Sequence, residues 1–385
     1  MKLAFQLAYK NLIGSGLRTW LNVGVLSFAF VIMIFYNGLI DGWDQQAKLD
    51  SIAWEYGHGQ LLEKSYDPFD PFTLQDGHAV LSDEKSDKLT PILIRQASIY
   101  PDGRMLSVSL KGIPAHQEIL SLPTSSLSSS DAFIPAIIGK RMAESAKLKK
   151  GDEVLLRWRD KNGTFDAANI TIVDVFDCNV PNVDNGQVWV SIDKLWELTG
   201  MTNHATIFIA NENYQHQEIA GWKFNSQEDL LSELTEMIAM KKTSGSVMYV
   251  LLLAIALLAI FDTQVLSIFR RQKEIGTYIA LGMTRWQVVG LFTVEGSMYS
   301  FLATLVGSAY GIPFFYYLSQ KGITMAANAD DYGIAVADVI YPVYGLGLIL
   351  TSIILVVISA TIVSFLPARK IAKMNPVDAL KGKLS

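Results

Sequence analysis

The sequence predicts an integral membrane protein with four transmembrane α-helices and a two-lobed α+β extracytoplasmic domain inserted between helices 1 and 2. Three observations predict it: four long apolar runs, the placement of Lys and Arg around them, and a strand-rich acidic segment between the first two runs. Half of the 385 residues are hydrophobic and 18% are charged. A soluble protein of this length normally carries more charge.

Each apolar run exceeds the ~20 residues that are needed to cross the hydrocarbon core of a bilayer. Together they contain one charged residue, Asp262. The first run is longer than the roughly 7–15 apolar residues of a cleaved signal peptide, and no A-x-A site follows it, so a retained helix is favoured. The runs are 19–40, 243–269, 296–320 and 339–368.

The basic residues orient these helices. Lys and Arg collect in the N-terminal segment, in the loop after the second run and in the C-terminal tail, so the positive-inside rule places all three in the cytoplasm. Residues 43–242 then lie outside, and they hold 29 acidic and 19 basic residues. Basic stretches are short and border the apolar runs, so we expect no nucleic-acid partner.

This topology gives nine segments. They are a cytoplasmic interfacial amphipathic helix (1–17), the first transmembrane helix (19–42), a periplasmic core domain (43–242), the second transmembrane helix (243–269), a cytoplasmic charged helix (270–286), the third transmembrane helix (287–319), a short periplasmic loop (320–338), the fourth transmembrane helix (339–367) and a cytoplasmic tail (368–385).

The segment 43–242 has mixed secondary-structure signals. Short β-branched runs predict strands, and amphipathic runs that end at Gly151 and Gly200 predict helices. A further amphipathic helix, 226–242, leads directly into the second transmembrane helix. The predicted strands are 104–110, 152–159, 169–176, 186–192 and 204–210, and the other helices are 138–152 and 193–200.

No catalytic or metal-binding pattern is visible. The sequence contains no G-x-x-x-x-G-K-[ST], G-x-S-x-G or H-E-x-x-H, and its five histidines have no ligand spacing. The single cysteine, Cys178, forms no internal disulfide and is interpreted as a small buried residue. We therefore predict no catalytic residues, no metal site and no cofactor bound by this chain.

The charged helix RRQKEIGTYIALGMTRWQVVGLF (270–292) connects the second and third apolar runs. Ile275, Ile279 and Met283 share one helical face, while Arg271, Glu274, Tyr278 and Arg285 are available to another. Mixed charge with an aromatic suits a protein contact. An ordinary charged loop is the alternative that these residues alone leave open.

Three motifs resemble the FtsX-like permeases of ABC transporters. The segment 270–296 resembles the family's "R-E-I-G…A-L-G-A-T" coupling helix followed by "E-G". AYKNLIGSGLRTWL (8–21) and LPARKIAKMNPVDALK (366–381) resemble the family's first-helix and tail motifs, and the segment 43–242 is similar to the core domain of MacB-type and lipoprotein-releasing permeases. The residues that match the coupling motif are Arg271, Glu274, Ile275, Gly276, Ala280, Leu281, Gly282, Thr284, Glu295 and Gly296.

The resemblance implies a permease that works by mechanotransmission in a bacterial inner membrane. Two permease subunits, identical or homologous, pair with a dimer of cytoplasmic ATPase subunits, which bind the ATP and Mg²⁺. Membrane lipids and a periplasmic lipoprotein chaperone or adaptor are the further partners implied. The ATPase-coupling residues implied are Arg271, Glu274, Ile275, Gly276, Tyr278, Leu281, Gly282 and Thr284.

Within the family, the chain looks most like a lipoprotein-releasing subunit. That branch implies a lipid-accessible cavity, for which Phe28, Phe30, Ile34 and Phe35 are candidates; membrane-facing or packing roles are the alternative. Two other functions remain open. One is a MacB-like efflux permease with an adaptor and an outer-membrane channel, and the other is a non-transporting permease that activates a periplasmic hydrolase or sensor kinase.

Two carboxylates lie in or beside the membrane segments. We expect Glu295 to pair with Arg271 or Arg285, or to reach the interface. Asp262 is expected to pair with Arg270, with an ion pathway as the alternative. Gly307 and Gly311 form a G-x-x-x-G that permits close helix packing.

Overall fold

The computed structural model describes residues 16–81, 88–130, 132–324 and 339–373. Most of the predicted interfacial helix (1–17), residues 325–338 of the predicted loop and residues 374–385 of the tail lie outside them. The described chain divides into two compact units. Of the described residues, those within 16–42, 238–323 and 341–373 belong to the helical unit, and those within 43–237 and 324–340 belong to the strand-rich unit.

The elements follow in chain order. The helices are α1 Leu17–Ser51, α2 Lys140–Ala146, α3 Pro181–Asp184, α4 Ile192–Thr199, α5 Gln227–Leu230, α6 Ser232–Arg270, α7 Gln272–Ala280, α8 Arg285–Lys321 and α9 Leu346–Ala368. The strands are β1 Gln60–Glu63, β2 Ala79–Val80, β3 Leu89–Ile99, β4 Leu106–Ile113, β5 Pro135–Gly139, β6 Glu153–Arg159, β7 Phe165–Phe176, β8 Gln187–Ser191, β9 His204–Ala205, β10 Ile207–Ala210, β11 Trp222–Asn225, β12 Ile323–Thr324 and β13 Val339–Ile340.

Four helices, α1, α6, α8 and α9, are long and apolar enough to cross a membrane. The 39 residues of α6 make a helix of about 58 Å, roughly twice the thickness of the hydrocarbon core. α1 and α6 extend beyond the predicted 19–42 and 243–269 because the polar residues next to each apolar run continue the helix. Each of these two helices contributes residues to both units.

The fourth helix begins later than the predicted 339–367, at Leu346. Val339–Ile340 is a strand. Pro342 has no N–H to donate and disfavours a helical Tyr341. Gly345, with φ −69° and ψ 149°, is the extended residue from which α9 starts. Apolar composition alone does not show this boundary.

The core of the helical unit lies between the four long helices. Gly307 and Gly311 of α8 bring α8 close to α1: a Cβ at Gly307 would lie 2.9 Å from Phe30 Cδ1, and one at Gly311 would lie 3.2 Å from Val31 Cγ2. The buried residues include Val23, Leu26, Phe30, Ile34, Leu253, Ala256, Ile260, Met298, Ala303 and Val356.

Six strands of the strand-rich unit close into a barrel in the order β3–β4–β8–β5–β7–β6, with β6 pairing back to β3. β4 is parallel to β8 and β5 to β7, and the other neighbours in the ring are antiparallel. The first half of β3 also pairs with β10, which leads to β1 and β11 at the edge.

The strands carry buried residues on both faces. Side chains that alternate along β6, such as Val154, Leu156 and Trp158, join one cluster, while Ile94, Ile137 and Trp189 join another on the opposite face of their strands. A third cluster, which includes Leu61, Phe208 and Trp222, lies where β10, β1 and β11 extend the sheet beyond the ring. The described residues of the segment form one compact unit, and its division into two lobes stays a prediction.

Candidate functional site

A break at each end separates α7 from the long helices α6 and α8. Arg271, with φ −104° and ψ 21°, is not helical, so α6 ends at Arg270 and α7 starts at Gln272. Gly282 has a φ of +97°, which favours glycine, and it turns the chain after α7. The predicted helix 270–286 is therefore a helix of nine residues followed by a turn.

A capping box starts the next helix. Thr284 Oγ1 accepts a hydrogen bond from the Gln287 N–H at 3.3 Å, and Gln287 Oε1 accepts one from the Thr284 N–H at 2.8 Å. These two bonds satisfy N–H groups that the start of a helix leaves unpaired. The turn between α7 and α8 is thus fixed by local hydrogen bonds.

One side of α7 packs against the ends of the long helices. Ile275 is fully buried, and Tyr278, Ile279 and Met283 are half-buried against the same cluster. The cluster also contains residues of α6, α8 and α9 and of the turn that follows α9. Its buried members are Ile268, Ile275, Val288, Val289, Phe292, Ala368 and Ile371.

An ion pair fixes the first turn of α7 to α8. Arg271 Nη1 donates to Glu295 Oε1 and Oε2, both at 2.9 Å, and Arg271 Nε donates to Glu274 Oε2 at 2.7 Å. The guanidinium lies 4.8 Å from the Phe292 ring centroid. Glu295 is buried, so its charge requires a partner. This pair restrains α7 relative to α8.

The opposite side of α7 and the turn after it are open. Leu281 is 79% exposed and Trp286 is 63% exposed, although both are large apolar side chains. Glu274, Thr277 and Ala280 are exposed beside them. The arrangement is a helix packed on one side whose exposed residues are apolar or charged, with charges of both signs at Lys273 and Glu274.

Comparison with known families matches residues 246–376 to the FtsX-like permease C-terminal family, a range that includes α7 and its surroundings. Residues 246–376 therefore form an FtsX-like permease C-terminal domain, and the chain is similar to MacB-type permeases. The part of the chain that the structure describes has four apolar helices, and this permease is a multi-pass membrane protein.

Two curated relatives match the permease. An uncharacterized ABC transporter permease of Methanocaldococcus jannaschii is 30% identical over 131 residues, which cover 34% of this chain and 30% of the relative. The macrolide export ATP-binding/permease protein MacB of Chromobacterium violaceum is 27% identical over 154 residues, which cover 39% of this chain and 22% of the relative. The permease thus matches less than a third of the length of either relative.

The eight residues that were predicted to contact an ATPase differ in their exposure to solvent. Glu274, Leu281, Gly282 and Thr284 are exposed, and Thr284 is also the cap of α8. Tyr278 is half-buried, and Arg271 is bonded to Glu295. Ile275 and Gly276 are buried and do not form part of an exposed surface, because their positions on α7 face the cluster. Exposed Trp286, two residues after the cap Thr284, was not among the residues predicted from the sequence.

The two membrane carboxylates have different surroundings. Glu295 is buried and paired with Arg271, one of the two predicted partners. Asp262 is exposed on α6, and among the described residues it makes no ion pair with Arg270. The predicted pair is therefore absent from the structure, because Arg270 lies eight residues further along the same helix, on its exposed C-terminal turn.

The four candidates for a lipid cavity do not share one environment. Phe30 and Ile34 are buried in the helical core at 3% and 2% exposure. Phe28 is 57% exposed. Phe35 is half-buried, and its ring centroid lies 5.9 Å from that of Phe314. Phe30 and Ile34 are thus packing residues in the structure, and Phe28 and Phe35 retain accessible surface.

A polar layer crosses the helical unit near Glu295. Asn22 Nδ2 donates to Thr263 Oγ1 at 2.6 Å, joining α1 to α6. Gln264 and Ser364 are buried on either side of Gly296, where a Cβ would lie 2.9 Å from Gln264 Nε2 and would contact Ser364 directly. Gly296, matched by the family pattern, thus allows polar side chains from α6 and α9 to pack against α8.

Proposed function

We propose that this chain is the permease subunit of an ABC transporter that works by mechanotransmission, and that a partner ATPase docks on the exposed side of α7. The observation that carries the proposal is the exposure of Leu281, directly after α7, and of Trp286, in the first turn of α8, beside a helix whose other side is buried and ion-paired. Exposed aromatic side chains such as Trp are enriched at protein interfaces and at their hot spots. ATP and Mg²⁺ would bind to the ATPase subunits.

The contacts of α7 with the long helices support the proposal that a displacement of α7 is transmitted to them. Residues of α6, α8 and α9 share the cluster that buries Ile275, and Arg271 ties α7 to Glu295. A force applied to the exposed side would therefore act on three long helices rather than on a loose loop. α6 continues without interruption from Arg270 to Ser232, and rigid elements of this kind carry rigid-body switches.

The orientation follows from charge. The basic N-terminal segment, α7 region and tail support a cytoplasmic location in a bacterial inner membrane, and the acidic segment 43–242 supports a periplasmic one. We propose a lipidated or amphipathic substrate, extracted from the outer leaflet with the help of a second permease subunit. Phe28 and Phe35 are the accessible candidates for contact with acyl chains.

MacB-like export is the alternative function. The similarity to a macrolide export ATP-binding/permease protein favours it. Under that alternative, the strand-rich unit would contact an adaptor protein leading to an outer-membrane channel. Dependence of transport on an adaptor, in place of a lipoprotein chaperone, would favour this function.

Co-purification with the partner ATPase tests the docking surface. Glu274→Arg and Leu281→Glu should abolish co-purification and leave membrane insertion unchanged, because both side chains point away from the buried cluster. Glu153→Arg makes the same charge change at an exposed position of β6 and serves as the control. Retention of the ATPase with normal turnover in both α7 variants would contradict the proposal.

Substrate class needs a separate measurement. ATP turnover of the reconstituted complex should change when a lipidated protein is added and remain constant with the same protein lacking its lipid. No response to any lipoprotein would reject the substrate assignment but not the ATPase contact, because co-purification is measured without substrate.

A further inference from the structure

The loop from Ser65 to Gly77, here called the aromatic loop, exposes two phenylalanines. Phe69 is 79% exposed and Phe72 is 90% exposed in the sequence repeat DPFDPF. Burying one aromatic side chain typically removes 150–250 Å² from water, so an exposed pair retains a large apolar surface. The same loop has three acidic residues and no basic residue, namely Asp67, Asp70 and Asp76.

Hydrogen bonds hold this loop in one conformation. Asp67 Oδ1 accepts from the Phe69 N–H at 2.9 Å, and Asp70 Oδ1 accepts from the Phe72 N–H at 3.0 Å. Thr73 Oγ1 accepts from the Asp67 N–H at 3.0 Å, which closes the loop. Binding of a partner to the two rings would therefore cost little conformational entropy of the loop backbone, because the backbone is already ordered.

The loop is also attached to the barrel. Arg95 of β3, which is buried, donates through Nη1 to Leu74 O at 2.8 Å and to Gln75 O at 3.3 Å. The aromatic loop is thus a fixed projection of the strand-rich unit, and its rings are exposed even though their backbone is ordered.

An open pocket of about 600 Å³, here called the basic pocket, lies elsewhere on the same unit. Ala143 and Leu148 are buried and form an apolar part of its lining. Four lysines and two acidic residues surround them, so the pocket carries a net positive charge. These charged residues are Lys140, Lys147, Lys149, Lys150, Glu144 and Asp174.

Within the part of the chain that the structure describes, two of the four lysines form ion pairs and the other two do not. Lys140 pairs with Asp177 at 2.8 Å, and Lys150 lies 3.4 Å from Asp174. Lys147 and Lys149 make no ion pair within the described residues, and both are exposed. The pocket therefore combines an apolar lining with two free cations at its rim.

We propose that the aromatic loop of one copy of this chain docks in the basic pocket of a second copy. The acidic residues beside the two rings complement the lysines around the apolar lining, and such complementarity determines which surfaces associate. Size also agrees. A cavity of about 150 Å³ holds one benzene ring, so two phenyl rings need roughly 300 Å³, within the 600 Å³ of the pocket.

The contact has a consequence for assembly. If a two-fold axis relates the copies, each dimer contains the loop–pocket contact twice. The proposal goes beyond the ATPase contact and does not depend on it, because both surfaces belong to the strand-rich unit and no nucleotide is involved.

Disulfide trapping between two full-length copies with different affinity tags tests the contact. In a Cys178→Ala background, one copy carries Phe72→Cys and the other Lys147→Cys, and both are reconstituted together without ATPase. We expect an oxidised dimer that contains both tags. Met105→Cys, at a residue that is 63% exposed on the same unit and absent from the pocket lining, replaces Lys147→Cys in the control and should give little dimer.

Charge variants give a second readout. Asp67→Asn with Asp70→Asn keeps the oxygen that accepts each loop hydrogen bond while removing two charges, so the loop should stay folded. We expect dimer yield at low salt to fall about threefold. Lys149→Glu on the pocket copy should lower it likewise, and a loop copy with Asp67→Asn, Asp70→Asn and Asp76→Lys should restore it.

Equal trapping at Lys147→Cys and Met105→Cys, or yields that none of these charges changes, would overturn the proposal. Binding of the rings to a lipid bilayer would also overturn it. That result would appear as quenching, by brominated lipids, of a fluorophore attached at Phe72→Cys in the reconstituted full chain, with no trapped dimer.

Discussion

Arg271 Nη1 reaches both carboxylate oxygens of Glu295 at 2.9 Å, across 24 positions of sequence. The bond joins the residue that precedes α7 to a buried position on α8. Breaking a buried pair by removing one partner typically costs about 3–5 kcal/mol, whereas replacing both partners by apolar residues costs much less.

Arg271→Met and Glu295→Leu should therefore each lower the melting temperature of the purified permease more than the double variant does. The physical reason is that each single change leaves one charge buried without its partner. Thermal unfolding in one detergent, followed by intrinsic fluorescence, measures the order of the three variants. Additive losses in the double variant would show that the pair contributes no interaction energy.

Gly296→Ala should destabilise the helical unit, because the added Cβ would contact Ser364 and lie 2.9 Å from Gln264 Nε2. Ser364→Gly removes the opposing side chain and should recover most of the loss. Gly290→Ala is the matched control on α8, since nothing lies within 4 Å of its Cβ position. The melting temperatures of these variants are compared with that of the wild type. Equal losses for Gly296→Ala and Gly290→Ala would contradict the packing described.

Phe30→Ala and Phe28→Ala separate packing from contact with lipid. Phe30 is 3% exposed, so its truncation should lower the free energy of unfolding by about 3–5 kcal/mol. Phe28 is 57% exposed, so its truncation to Ala should change the free energy of unfolding little. If Phe28 contacts substrate acyl chains, its variant should instead lose the lipoprotein-dependent change in ATP turnover. A stable, fully responsive Phe28→Ala would remove it from the substrate site.

The strand-rich unit should lose stability in acid through His78. Burial lowers the pKa of His78 from 6.5, and nearby Arg95 and His204 lower it further, while Asp76 and the Gln75 backbone oppose them. The folded state then binds fewer protons than the unfolded state, so stability is full above pH 6.5 and falls as pH drops below it. His78→Gln should reduce this slope.

Melting curves of the full chain between pH 8 and pH 5, about 1.5 units on either side of the ordinary His pKa, measure the effect. His78 Nδ1 lies 3.0 Å from His204 Nδ1, so one ring donates to the other only while the acceptor is neutral. Parallel pH curves for the wild type and His78→Gln would contradict the assignment.

Much of the helical unit was predictable from the sequence. A long apolar run in a membrane forms an α-helix, because the helix satisfies all backbone N–H and C=O groups within the run. The start of α9 was not, since Val339 to Tyr344 is apolar and only Pro342 and Gly345 interrupt it. The orientation of Gly276 was also missed. A nine-residue helix has few residues to mark its buried face, and its packing partners are distant in sequence.

The barrel was harder to predict than its strands. β4, β6, β7 and β8 overlap predicted runs, whereas β3 was missed because Pro91 interrupts a pattern of β-branched residues. The closing pair, Ala97 with Trp158, joins strands with two others between them in sequence. Local periodicity carries no information about such a pairing.

Because β6 returns to β3, the ring has no free edge, and in the described sheet the chain's outermost strand is β11, only four residues long. Unpaired edges are where sheets of separate molecules join by backbone hydrogen bonds. The strand-rich unit is thus poorly suited to β-strand addition. Contacts of the closed ring with other proteins would therefore use side chains, which substitutions can change without altering the backbone.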